Sequence, residues 1–175
     1  MGHMPKLPDY RLQTLFDMRE KARKEAEDAY AEAMKAKLAE EKKLEEMKQE
    51  LERMIQAREA KRLEYAERAA KGEYNVSQIQ ANHRHIDRMK EKEGAFKMEI
   101  EKQKDAIKRA EEVVEEKKQA MIEATQEFKA LEKHKEKWAQ EVKREMAIKE
   151  EDNLEDIAQT IFLRRMREAK EDEGG

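Results

Sequence analysis

Between Ile79 and Val142 the chain carries nineteen positions spaced alternately three and four residues apart, and fourteen of them are apolar. They run Ile79, Asn82, Ile86, Met89, Glu93, Phe96, Ile100, Gln103, Ile107, Ala110, Val114, Lys117, Met121, Ala124, Phe128, Leu131, Lys135, Trp138 and Val142. A stripe that repeats every 3.5 residues keeps facing one partner helix only if the two supercoil left-handedly. Water cannot satisfy such a stripe, so this helix must lie against another.

The partner is written earlier in the chain. From Asp9 to about Ala70 nothing breaks a helix, and an apolar stripe runs Leu12, Leu15, Ala22, Ala26, Ala29, Ala33, Ala36, then Leu44, Met47, Leu51, Met54. The step from Ala36 through Glu40 to Leu44 predicts a local eleven-residue repeat that relaxes the supercoil. Pro5 and Pro8 hold the first residues out of the helix, and Asp9 is the expected N-cap. Residues 1–8 read as a cloning scar (Met1-Gly2-His3) and a flexible N-terminus, with Met4 the native start. The first helix is expected over 9–71 and the turn over 72–76, where Gly72 tolerates the left-handed conformation and Asn75 suits a turn. Ser77 and Gln80 match a capping box that opens a second helix over 77–171.

The short turn makes the two helices antiparallel neighbours. The predicted fold is all-α: two long helices in an antiparallel coiled-coil hairpin, the second longer than the first. At 1.5 Å per residue the arms would span roughly 95 and 140 Å. Pairing about the turn joins positions whose numbers sum to about 147, which sets Met47 against Ile100, Leu51 against Phe96 and Tyr10 near Trp138. Residues beyond about 143 then have no opposing arm. Leu154, Ile157, Ile161 and Phe162 build an apolar face on that overhang, which would serve as a docking surface or else fold back on the first arm or dimerise.

Composition sharpens this picture. Charged residues make up 46% of the chain, yet 39 basic residues nearly cancel 42 acidic ones, to a net charge of −3. Mixed charge with a 3.5-residue period marks a coiled coil rather than a disordered segment. So small a net charge gives no pull toward nucleic acid or anionic lipid. The chain has no cysteine, which excludes a disulfide framework and a thiol nucleophile and fits a reducing compartment. No apolar run approaches the ~18 residues of a membrane span, and the expected location is cytoplasmic.

Chemistry is hard to find. His83 and His85 are two residues apart and so point to opposite sides of a helix, unable to share a metal. Gly94 matches no phosphate-binding loop. The carboxylates sit on an open pair of helices with no pocket to raise a pKa. The residues therefore indicate no enzyme, no cofactor and no metal, and a protein that is a monomer when free. A dimerising structural scaffold and a chaperone-like hairpin are the alternatives. Tyr65, Tyr74 and Val76 either close the turn or offer a tip to a partner.

Two stretches resemble a known family. The opening Asp9-Tyr10-Arg11-Leu12-Gln13-Thr14-Leu15-Phe16-Asp17-Met18-Arg19-Glu20-Lys21-Ala22, and the late Ala130-Leu131-Glu132-Lys133-His134-Lys135-Glu136-Lys137-Trp138 with Ile161-Phe162-Leu163-Arg164-Arg165, are similar to the YscO family of type III secretion proteins. That family is related to the flagellar export protein FliJ. The resemblance implies a non-enzymatic central stalk whose terminal end enters the pore of the hexameric type III secretion ATPase. It implies further contacts with the export-gate membrane protein and with secretion chaperones, and a location peripheral to the inner membrane. By region, Tyr10, Leu12, Leu15, Phe16, Leu154, Ile157, Ile161 and Phe162 would meet the ATPase. Tyr65, Tyr74 and Ile79 would lie toward the export gate or a chaperone.

Overall fold

The computed structural model describes residues 6–174. Two helices carry the fold: α1, Gln13–Ala70, and α2, Val76–Glu173, the longer of the two. They pack against each other as an antiparallel hairpin, and no strand occurs among the described residues. Neither helix is long and apolar enough over any stretch to cross a membrane. Contacts divide the chain into two compact units, one joining the residues up to Arg23 with those from Glu123 onward, the other formed by Lys24–Ile122. The expected cloning scar and the first part of the expected flexible N-terminus, residues 1–5, lie outside the described residues.

The 3.5-residue seam of α2 is the buried one. Of the nineteen positions from Ile79 to Val142 only Lys117 is exposed, and Ile86, Glu93, Ile100, Gln103 and Phe128 are the most enclosed. The α1 stripe differs from its expected course. Leu15, Ala22 and Ala36 are exposed, and the helix turns Phe16, Arg19, Arg23, Ala26, Tyr30, Ala33, Lys37, Glu40 and Leu44 inward instead. That path alternates steps of three and four without a break, so the expected eleven-residue repeat is absent. The reason is amphipathic stems: Arg and Lys lay their methylene chains over a neighbouring apolar surface and keep the charge in water.

Helix boundaries follow local hydrogen bonds. α1 begins at Gln13 rather than at residue 9, because Tyr10 is buried and the turn there is closed by the Gln13 N–H donating to the Tyr10 carbonyl at 3.0 Å. α1 ends in a Schellman motif. The Glu73 N–H donates to the Arg68 carbonyl at 3.1 Å, and the Gly72 N–H donates to the Ala69 carbonyl at 3.0 Å. Gly72 has φ of +71°, a conformation that costs glycine nothing. The cap of α2 is Asn75, two residues before the expected Ser77. Its side-chain oxygen accepts from the Gln78 N–H at 2.8 Å, and the Gln78 side chain accepts from the Asn75 N–H at 2.9 Å. The reciprocal capping box is present, built on Asn-x-x-Gln.

Candidate docking surfaces

In the unit that holds both chain ends, aromatic rings join the helices. Tyr10 packs on Trp138 with ring centroids 5.0 Å apart and on His134 at 5.8 Å, and its hydroxyl shares a hydrogen bond with His134 Nδ1. Phe16 meets Phe128 at 5.2 Å. The Lys135 ammonium lies 4.4 Å from the Phe16 ring centre and the Arg23 guanidinium 4.8 Å from that of Phe128. A cation over a ring face is attracted by the negative face of the π system; Phe128 is buried and Phe16 half-buried. Arg19 pairs with Glu127. Of the four expected contact residues on α1 and just before it, Tyr10 and Phe16 are therefore occupied within the chain. Leu12 is half-buried and Leu15 is 37% exposed.

Beyond Met146 this changes abruptly. From Ala147 to Glu173 every residue of α2 is exposed. Leu154 is 66% exposed, Phe162 62%, Ile157 56% and Ile161 47%, and Leu163 and Met166 are exposed beside them. Thr160 donates its hydroxyl to the Asp156 carbonyl at 2.8 Å, a bond that a helical threonine makes within its own helix. Leu154, Ile157 and Ile161 share one face by their three- and four-residue spacing, and Phe162 flanks it.

In the unit formed by Lys24–Ile122, the turn end carries a second aromatic group. The Tyr65 hydroxyl and His85 Nδ1 share a 2.7 Å hydrogen bond, and Tyr65 meets Tyr74 edge-on with centroids 6.2 Å apart. Arg68 lies 5.0 Å from the Tyr74 ring centre and bonds Glu73 through Nε at 2.8 Å. The hydrogen bond to that carboxylate raises the Arg68 pKa above its ordinary value. Ile79 is half-buried. With Tyr65, Ala66, Ala69 and Ile86 it lines an open groove of about 360 Å³ rimmed by Arg62, His83, Asp87 and Lys90. Among the described residues no three His, Asp or Glu side chains come together to hold a metal ion.

The same unit contains two polar layers in its seam. Arg58 Nε donates to Glu93 at 2.7 Å, with side chains 21% and 7% exposed. Gln103 donates to the Glu40 backbone carbonyl at 2.9 Å and also bonds the Glu40 carboxylate. These partners did not emerge from sequence reasoning, although a signal existed. Reflecting Glu93, Gln103 or Lys135 across the turn lands one helical turn from Arg58, Glu40 or Phe16, within reach of a long side chain. The cross-helix pairs Tyr10–Trp138, Phe16–Phe128, Arg58–Glu93 and Glu40–Gln103 have residue numbers summing to between 143 and 151. They straddle the expected 147.

Known proteins bear on this arrangement. A family model described as YscO-like protein matches residues 7–168. A solved structure of a YscO homolog, CT670 from Chlamydia trachomatis, superposes with a TM-score of 0.72 at 19% sequence identity. The alignment covers 92% of this chain and 99% of that one, a likeness of fold. No curated protein matches the sequence. With the family match spanning nearly the whole hairpin, the chain belongs to the YscO-like family of helical, type III secretion-associated proteins.

Proposed function

We propose that this protein is the non-enzymatic central stalk of a hexameric type III secretion ATPase. In this reading the unit holding both chain ends enters the ATPase pore. Leu12, Leu15 and the overhang residues Leu154, Ile157, Ile161 and Phe162 contact the ring, while Tyr10 and Phe16 brace the helix pair behind them. The turn end, with Tyr65, Tyr74 and Ile79, faces the export-gate membrane protein or a secretion chaperone. The protein would work in the cytoplasm at the inner-membrane face of the secretion apparatus.

The observation that carries this reading is the overhang. A helix whose apolar seam positions are covered as far as Val142 continues past Met146 for seven more turns with Leu154, Ile157, Ile161 and Phe162 in water. Exposed apolar side chains clustered on one face mark an interaction site. Family membership supplies the setting, since a secretion protein with no evident catalytic group acts through what it touches. One asymmetric hairpin inside a sixfold ring meets each subunit differently, and so can favour hydrolysis at one site over its neighbours.

The test is the purified cognate ATPase, followed by light scattering for hexamer formation and by phosphate release for hydrolysis. Wild-type protein should promote both in a saturable manner. The triple variant Leu154→Ser, Ile161→Ser, Phe162→Ser should lose most of the stimulation while keeping its helicity by circular dichroism. Stimulation undiminished in a fully helical triple variant would remove the overhang from the ATPase contact. An ATPase indifferent to the wild-type protein would end the stalk reading.

A further inference from the structure

Around the apolar stripe of the overhang, two neighbouring blocks carry opposite charge. Residues 150–156 hold five acids and no base (Glu150, Glu151, Asp152, Glu155, Asp156), whereas residues 157–167 hold three arginines and no acid (Arg164, Arg165, Arg167). The apolar residues Leu154, Ile157, Ile161 and Phe162 sit across the boundary, exposed. A helix with acid at one end of its apolar stripe and base at the other is complementary to itself when turned end for end.

We propose that the overhang pairs antiparallel with the overhang of a second copy of this chain, about a two-fold axis beside Ala158. Positions whose numbers sum to about 316 then face each other. Ile157 meets the partner's Ile161, Leu154 meets the partner's Ile161 from its other side, and each pair occurs twice by symmetry. The same register sets Glu150 and Glu151 against the partner's Arg165 and Arg164. Two-fold closure makes the contact isologous, so it ends at two chains and does not propagate. A parallel pairing would stack like charges on each other and is disfavoured. An anionic lipid surface would attract the arginines but meet the acids Glu168, Glu171, Asp172 and Glu173 within about a Debye length of Arg167.

The pairing is weak by its size. The overlapping segments are about 20 residues, or roughly 30 Å of helix, and two such helices bury less than the ~800 Å² per partner of a standard interface. We expect a dissociation constant in the micromolar range, with the protein monomeric when dilute and paired when concentrated. The inference stands apart from the ATPase reading. Where both hold, pairing covers the face that the ATPase needs, and the two contacts exclude each other.

Charge swaps in the full-length protein test it by sedimentation equilibrium over roughly 1–200 µM, a range that brackets micromolar affinity. Wild type should shift from monomer to dimer across that range, and less so at high salt. Glu150→Arg with Glu151→Arg, and separately Arg164→Glu with Arg165→Glu, should each weaken the dimer about tenfold or more. Mixing the two variants should restore association as a heterodimer. Because the chain has no cysteine, Ala158→Cys adds a single thiol near the axis, and it should cross-link to its mate. Ala169→Cys should not, since antiparallel pairing holds those thiols about 33 Å apart. A wild type monomeric throughout, a mixture that fails to associate, or cross-linking through position 169 in preference to 158 would overturn the proposal.

Discussion

Arg58 and Glu93 form a largely enclosed ion pair between the two helices, and separating their contribution tests how the seam is specified. Arg58 Nε lies 2.7 Å from the Glu93 carboxylate, whose side chain is 7% exposed, while the Arg58 side chain is 21% exposed. Two unit charges about 4 Å apart at an effective dielectric of about 20 attract by about 4 kcal/mol. Desolvation of the carboxylate cancels part of this, which leaves a coupling of roughly 1.5–3 kcal/mol, as for other hydrogen bonds to charged groups. Glu93→Ala should destabilise the hairpin by about 2 kcal/mol, at the lower end of the cost of breaking a buried pair because Arg58 still reaches water. Arg58→Met with Glu93→Leu should return to within about 1 kcal/mol of the parent, since apolar residues suit a coiled-coil seam. The assay is a double-mutant cycle by urea unfolding, followed by circular dichroism. Spin labels at the exposed positions Lys48 and Lys97 should report a broader distance distribution in the apolar pair, whose register is less strictly set. A coupling below about 0.5 kcal/mol would refute the reasoning, for the pair would then behave as a surface ion pair.

Other perturbations probe the ends. Phe128→Ala removes a ring that is 7% exposed and packed on Phe16, and should cost about 3 kcal/mol, read as a lowered urea midpoint. At the turn, Asn75→Ala removes the α2 cap and should cost about 1 kcal/mol. Gly72→Ala forces a side chain into the left-handed region and should cost about 1–2 kcal/mol, both seen as earlier thermal unfolding. The hydrogen bond from Arg62, with its charge, lowers the Glu59 pKa below 4.5 in the folded chain. Its small stabilisation is complete above that value and is lost as pH falls through the folded-state pKa. Glu59→Gln should therefore lower the urea midpoint near pH 7 and converge with wild type in acid; a difference that grew in acid would reverse the assignment.

The alternation of three and four between Ile79 and Val142 was legible from residues alone, and so were the glycine that ends α1 and the unpaired apolar face past Met146. Each is a local property: a period, a single backbone conformation, a stretch of helix longer than its mate. The aromatic contact of Tyr10 with Trp138 also followed, because a hairpin with a fixed turn leaves little freedom in its register. The α1 stripe did not follow so directly. Its apolar residues suggested Leu15, Ala22 and Ala36, whereas the opposing helix draws in Arg19, Arg23, Lys37 and Glu40.

Sequence by itself thus determined two helices, their break and their antiparallel sense. The tertiary structure decided which polar residues enter the seam and whom they bond: Glu93 with Arg58, Gln103 with the Glu40 carbonyl, His134 with Tyr10, His85 with Tyr65. It also chose Asn75 over Ser77 as the cap and delayed α1 until Gln13. The physical reason is common to all of these. A hydrophobic period fixes a face to within a residue or so, but a long polar side chain spans a full helical turn. Its partner is therefore selected by the geometry of the opposing helix, which no single segment contains.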